Sequence, residues 1–325
     1  MRKFVFFGGK GGVGKTTVSS AYGLKCAERG LSTLLVSTDP AHSTSDVFDQ
    51  EFGDEPTPVE GHENLHAMEI DPEAEIERHM NEIRSSMGDQ VSPAIVNEID
   101  RQIELAHRTP GAYEAALFDR FIEVMRESDG YDRVVFDTSP TGGTLRLLAL
   151  PEFLESWIDR LADKRRESVD LFEKAAIGDR KARARLEDDP IIARLADRKE
   201  KFEFAGRTLR ENAAFHLVLN PDELSIEESR RAIDELEAVG LSVDGLVINK
   251  VAPKPDDDET GTGADYLRER HRTERDRLER IRSEFSEPIA ATIEQRVSEI
   301  KGDLLEEIAA ELGIEVETAE ATASV

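Results

Sequence analysis

At 325 residues the chain exceeds the length at which a single compact core usually stops growing, so one large α/β domain with insertions, or two closely joined lobes, is expected. Hydrophobic residues make up 38% against 34% charged, a balance that excludes wholesale disorder. The formal net charge of -27 repels polyanions and so disfavours nucleic acid and anionic membrane surfaces as partners.

In chain order, Lys3 to Phe7 reads as a buried strand. Its apolar run stops at Gly8, too soon for the core of a signal peptide, and no segment reaches the length of a membrane-spanning helix, so a cytoplasmic location is expected. A Gly-rich loop follows, then a helix over Thr16 to Arg29 closed by Gly30, and strands at Leu34 to Ser37 and Leu65 to Ile70. Between Asp71 and Asp129 the period becomes helical, with one stripe at Ile76, Met80, Ile83 and Met87 and another at Leu117, Phe121, Val124 and Met125. Val134 to Phe136 returns to strand, and a second helical region runs from Pro151 to about Asn212, with Phe153, Leu154, Trp157, Ile158 and Leu161 on one face. Strands resume at Phe215 to Leu219 and Gly245 to Asn249, around a helix over Ser225 to Val239. A polar loop (Pro253 to Asp265), a charged helix to about Phe285 and a last helix (Ser298 to Leu312) complete the fold, and residues 313–325 read as a disordered acidic tail. The alternation of strand and helix predicts an α/β fold with a mostly parallel central sheet flanked by helices, plus a helical insertion subdomain, and GKGGVGKT between its first strand and first helix marks the pattern of a P-loop NTPase. Residues 1–312 are expected to form this P-loop domain, with helical insertions at about 73–129 and 151–212.

The chemistry concentrates at GKGGVGKT, which matches the phosphate-binding pattern G-x-x-x-x-G-K-[ST] between a strand and a helix. Gly9, Lys10, Gly11, Gly12, Val13, Gly14, Lys15, Thr16 and Thr17 are the candidate nucleotide contacts. Glycines let successive backbone N–H groups surround phosphate oxygens, Lys15 suits the β- and γ-phosphates, and Thr16 suits Mg²⁺. Asp137 ends a buried strand, where ligands bind in open parallel sheets, and is the candidate carboxylate that holds Mg²⁺ through water. A second cation in the loop, Lys10, needs an anion to meet, or else is an exposed lysine beside its own loop.

The stretches GKGGVGKT, STDPAHSTSDVF and DTSPTGGTLR, in this order, resemble the tail-anchored protein targeting ATPases and arsenical pump-driving ATPases. The resemblance implies that Lys10 reaches a partner subunit's nucleotide across a homodimer, and that Asp39 positions the attacking water. An ordinary Asp, with a pKa near about 3.9, orients water better than it deprotonates it. In the same way Asn249 of GLVINK corresponds to the reader of the adenine edge, Asp222 of LNPDELS to a position near base or ribose, and Pro288 with Ile289 to the loop that covers the adenine. Gly143 stands where the family often has His, and Thr109 to Met125 resembles the segment that links nucleotide site to helical part.

One cysteine, Cys26, supplies neither a C-x-x-C zinc clamp nor a metalloid-sensing cysteine triplet, so ATP and Mg²⁺ are expected as cofactors and zinc is not. Cys26 itself is expected to pack as a small hydrophobe. The resemblance further implies a homodimer whose helical regions hold the hydrophobic transmembrane segments of tail-anchored membrane proteins, with a membrane receptor as a further partner. The Met-bearing stripes fit either an adaptable client surface or plain packing on the sheet. The motor of an arsenite efflux pump, a partition-type ATPase and a nucleotide-gated holdase are the alternatives. The excess of acid, with Arg far outnumbering Lys, resembles the proteins of salt-adapted archaea.

Overall fold

The computed structural model describes residues 2–38, 43–71, 74–75, 78, 112–138, 160 and 190–316. The stripes at 76–87 and 153–161, Asp39, Gly143 and the last nine residues of the expected tail lie outside that set.

Among the described residues eight strands form one sheet: β1 (Phe4–Gly8), β2 (Thr33–Ser37), β3 (Thr57–Pro58), β4 (Leu65–Glu69), β5 (Arg133–Asp137), β6 (Ala213–Leu219), β7 (Gly245–Val251) and β8 (Ile289–Glu294). Their order is β3-β4-β2-β5-β1-β6-β7-β8, and only the short β3–β4 pair is antiparallel. A parallel sheet must be covered on both faces, which is why β1 reads FVFFG with every residue buried, where a half-exposed strand would alternate. The expected mostly parallel α/β architecture is therefore what the chain builds.

Two cores follow from the pleat. On one face Phe6 stacks on Phe136 at 4.5 Å between ring centroids and on Phe215 at 5.1 Å, while Phe121 meets Phe136 edge-on at 5.1 Å. Helices α3 (Ala112–Glu127) and α4 (Pro190–Asn212) cover this face and meet each other through Phe118 and Phe202. Each such ring, fully buried, stabilises by roughly 1.5–3 kcal/mol relative to exposure. On the opposite face α1 (Lys15–Glu28) and α7 (Asp303–Glu311) pack over Val5, Phe7, Leu35 and Val135, and Cys26 is fully buried there as expected. Chain reversal after α1 occurs at Gly30, with the Leu31 N–H reaching back to the Cys26 carbonyl at 3.1 Å.

The second Met-bearing stripe belongs to the core. Leu117, Phe121, Val124 and Met125 are 1%, 0%, 6% and 4% exposed, so Met125 packs on the sheet and offers nothing to a client. A 3.6-residue apolar period is the same whether the stripe faces a sheet or a partner, so the sequence alone could not choose. Among the described residues the expected insertions contribute α3 and α4, and both carry core side chains. Three of the strands and helices were not foreseen: the two-residue β3 and the six-residue α2 (Ser43–Phe48), each too short to show a period, and β8, whose first residue was expected in a loop over the adenine. The remaining helices, α5 (Glu223–Glu237) and α6 (Thr262–Glu284), fall close to their predicted bounds.

Candidate nucleotide site

Because the seven main strands run parallel, their C-terminal ends share one edge of the sheet, and register places Phe7 and Ser37 beside Asp137 on either side of β5. The Gly9–Gly14 loop leaves β1 at this edge and enters α1. Gly14 caps α1 in the left-handed region (φ 96), with no side chain capping the helix. Glycine has no side chain to cap the helix, and the first N–H groups of α1 point out of its N-terminal end, where an anion is favoured. A Cβ added at Gly14 would lie 2.3 Å from Asn249 Nδ2, whereas one added at Gly12 (φ 77) would meet none of the described residues within 4 Å. The first glycine permits close packing beneath the loop. The second leaves room above it of the kind a phosphate needs.

Lys15 is buried (8% exposed), and its Nζ donates to the Lys10 carbonyl at 3.2 Å, curling the side chain back over the loop. A phosphate oxygen carries a negative charge and so attracts the Lys15 ammonium more strongly than a neutral carbonyl does. Thr16 Oγ1 donates to Asp137 Oδ2 at 2.6 Å, and Asp137 is 1% exposed. A hydroxyl and a carboxylate held together at the start of the helix are hard oxygen donors, which fits Mg²⁺ and not a thiophilic metal. Thr38 Oγ1 donates to the Asp137 carbonyl at 3.2 Å and Thr138 Oγ1 to the Phe7 carbonyl at 2.8 Å, so the ends of β1, β2 and β5 are laced together beneath the site. Asp39 follows directly but lies outside the described residues.

Asn249, 4% exposed, is brought to the loop, where its Nδ2 donates to the Val13 carbonyl at 2.8 Å and its Oδ1 accepts from the Lys250 N–H at 2.9 Å. Lys250 is a residue the sequence did not single out. Its φ of 58 is a left-handed conformation unusual for a non-glycine residue, and its Nζ donates to the Gly12 carbonyl at 2.6 Å. No pattern of residue types signals this; only the backbone angle does. A cavity of about 620 Å³ opens above the loop, bounded by Thr16, Thr17, Asp46, Asn249, Lys250 and the segment Glu294 to Lys301.

Two expectations change here. Pro288 sits at the start of β8, its carbonyl accepting from the Leu246 N–H at 2.8 Å, and so lies at the opposite edge of the sheet from the phosphate loop. The chain reaches the cavity only after β8 has crossed the sheet, at Glu294, Gln295 and Arg296, and these are the residues that wall it. A Pro at the beginning of a parallel strand cannot also be at its ligand-binding end. Asp222 does stand on the site's edge of the sheet, after β6, but its Oδ1 accepts the Ser225 N–H at 2.9 Å as the N-cap of α5 and is not among the cavity residues.

Residues 2–313 match the family model described as anion-transporting ATPase. The chain is 32% identical to the putative arsenical pump-driving ATPase 2 of Aquifex aeolicus, covering 93% of this chain and 95% of that one. It is 34% identical to the ATPase ASNA1 homolog 1 of Paramecium tetraurelia over 78% and 76% of the two chains. It is also 32% identical to the ATPase GET3 of Chaetomium globosum, covering 92% of this chain and 86% of that one. The phosphate loop, its hard-oxygen pair and these likenesses agree, and the chain belongs to the anion-transporting ATPase family and is an ATPase.

Proposed function

We propose that this ATPase works as a homodimer in which ATP binding closes the subunits around a hydrophobic groove and hydrolysis reopens them, and that its cargo is the transmembrane segment of tail-anchored membrane proteins. The observation that carries this reading is the single-unit likeness to the ATPase GET3 of Chaetomium globosum, with 86% of that chain covered, combined with one cysteine that is wholly buried. A chain without an accessible thiol has no site of the thiolate kind for sensing arsenite. Zinc is likewise not required, because a C-x-x-C clamp needs two cysteines.

Within each subunit the loop amides and Lys15 hold the triphosphate, and Thr16 with Asp137 hold Mg²⁺, which neutralises charge on the phosphates. Asn249 reads the base with the second N–H of its amide, the first being engaged by Val13. Asp39 orients the water and Lys10 stabilises charge on the partner's nucleotide. Gln295 and Arg296 replace Pro288 as the candidate cover of the base. Among the described residues no helix is long and apolar enough to cross a membrane, in keeping with work in the cytoplasm and delivery to a membrane receptor. The likeness to a protein named as a putative arsenical pump-driving ATPase favours a second reading, the motor of an anion efflux pump.

Co-purification from cells of the Asp39→Asn protein, trapped before turnover, separates these. Bound tail-anchored proteins support the first reading, a bound permease supports the second, and an empty homodimer contradicts both.

A further inference from the structure

The segment that carries Asp39 is bounded by described residues whose contacts differ in kind. At one end Thr38 is held by β5 through its bonds to the Asp137 carbonyl. At the other end α2 begins, and two of its first N–H groups are taken by a side chain 24–25 residues along the chain. Thr44 N–H and Ser45 N–H both donate to Glu69 Oε1, at 3.0 and 2.9 Å, and Ser45 Oγ donates to Glu69 Oε2 at 2.9 Å. Ser45 Oγ in turn accepts from the Phe52 N–H at 3.2 Å. Glu69 is the last residue of β4, 4% exposed, and its own backbone is fixed by the Gly53 carbonyl at 2.8 Å.

Burying a carboxylate is expensive unless it is fully hydrogen-bonded, so a mere need to cap six residues of helix is met more cheaply by a local Ser, Thr or Asp. A local cap ties a helix to the chain just before it. Glu69 ties α2 to the sheet, at the same edge where Asp137 holds Thr16, and α2 in turn presents Asp46 and Val47 to the nucleotide cavity. We infer that Glu69 is a positioning residue for hydrolysis: its carboxylate sets the place of α2, which begins four residues after Asp39, against the sheet, and with it the place of Asp46 and Val47 at the nucleotide cavity. This rests on the reading that Asp39 orients the attacking water.

The test compares Glu69→Ala, Glu69→Gln and Asp39→Asn in the full chain, with steady-state ATP turnover and amide hydrogen exchange. A misplacement of the order of an ångström costs about 100-fold or less in rate, so Glu69→Ala is expected to lower kcat by about ten-fold or more with KM for ATP held within about three-fold. Glu69→Gln keeps the acceptor for both N–H groups and retains kcat within about three-fold. Exchange at Thr44 and Ser45 accelerates about ten-fold in Glu69→Ala and stays near wild type in Glu69→Gln. Wild-type kcat in folded Glu69→Ala, or unchanged exchange at those two amides, overturns the inference. Wild-type turnover in Asp39→Asn removes the reading of Asp39 instead, and the exchange rates still decide whether Glu69 places α2.

Discussion

Gly14 and Gly12 offer a matched pair for the claim that the loop is packed below and open above. Both have left-handed backbones, at φ 96 and 77, so alanine at either carries a backbone cost of about 1–2 kcal/mol. At Gly12 the new methyl meets none of the described residues within 4 Å. At Gly14 the new methyl would lie 2.3 Å from Asn249 Nδ2, so the amide must move and its buried bond to Val13 is lost. A lost bond contributes about 1 kcal/mol, with a further penalty of about 1–3 kcal/mol for any buried donor left unsatisfied. Gly14→Ala is therefore expected to destabilise by about 3 kcal/mol and Gly12→Ala by about 1 kcal/mol, read from urea midpoints at constant slope. Gly12→Ala should nonetheless lose Mg-ATP binding, because the methyl occupies the open side of the loop. Equal destabilisation by the two variants, or full Mg-ATP binding by Gly12→Ala, would refute the packing argument.

Burial pushes His216 down to about 4, against 6.5 for a free imidazole, with Asp244 acting in the opposite direction. The folded chain thus holds this proton more weakly than the unfolded chain does. Stability is full above pH 6.5 and falls by about 3 kcal/mol as pH drops toward 4, a slope that His216→Phe should largely remove in urea titrations at several pH values. Asp137→Asn keeps the shape of the Thr16 contact but halves its hard-oxygen character, so Mg²⁺-dependent ATP turnover should fall by about 100-fold or more while the urea midpoint changes little. If Lys10 acts across the dimer, mixing Lys10→Ala with an Asp39→Asn partner restores turnover at about one active site per mixed dimer, and turnover that ignores protein concentration argues against it.

The parallel strands were readable because buried strands such as FVFFG and LVIN are continuous apolar runs, and the phosphate loop because its pattern sits between one of them and a helix. The placement of Asp137 and Asn249 was readable for a related reason: one ends its strand and the other stands two residues before the end of β7, and parallel strands deliver their ends to one edge. Pro288 failed on the same geometry, since it begins a strand where Glu294 ends it. For Met125 two readings stood open, and burial on the sheet decides between them, because periodicity reports burial without saying what does the burying. Glu69 and Lys250 carried no signal of type or spacing. One is recognisable only from the amides it accepts across a gap of 24–25 residues, the other only from a positive φ. Long-range hydrogen bonding and backbone strain are properties of the folded chain, and local sequence does not encode them legibly.

The central claim is that the amides of the loop, with Lys15, hold a magnesium-bound triphosphate. Calorimetric titration of the purified chain with Mg-ATP, across a series of KCl concentrations, tests it most directly, with Lys15→Ala alongside. The account predicts saturable uptake of one Mg-ATP per chain that Lys15→Ala abolishes; no uptake by the wild-type protein at any salinity, or equal uptake by the variant, would contradict it.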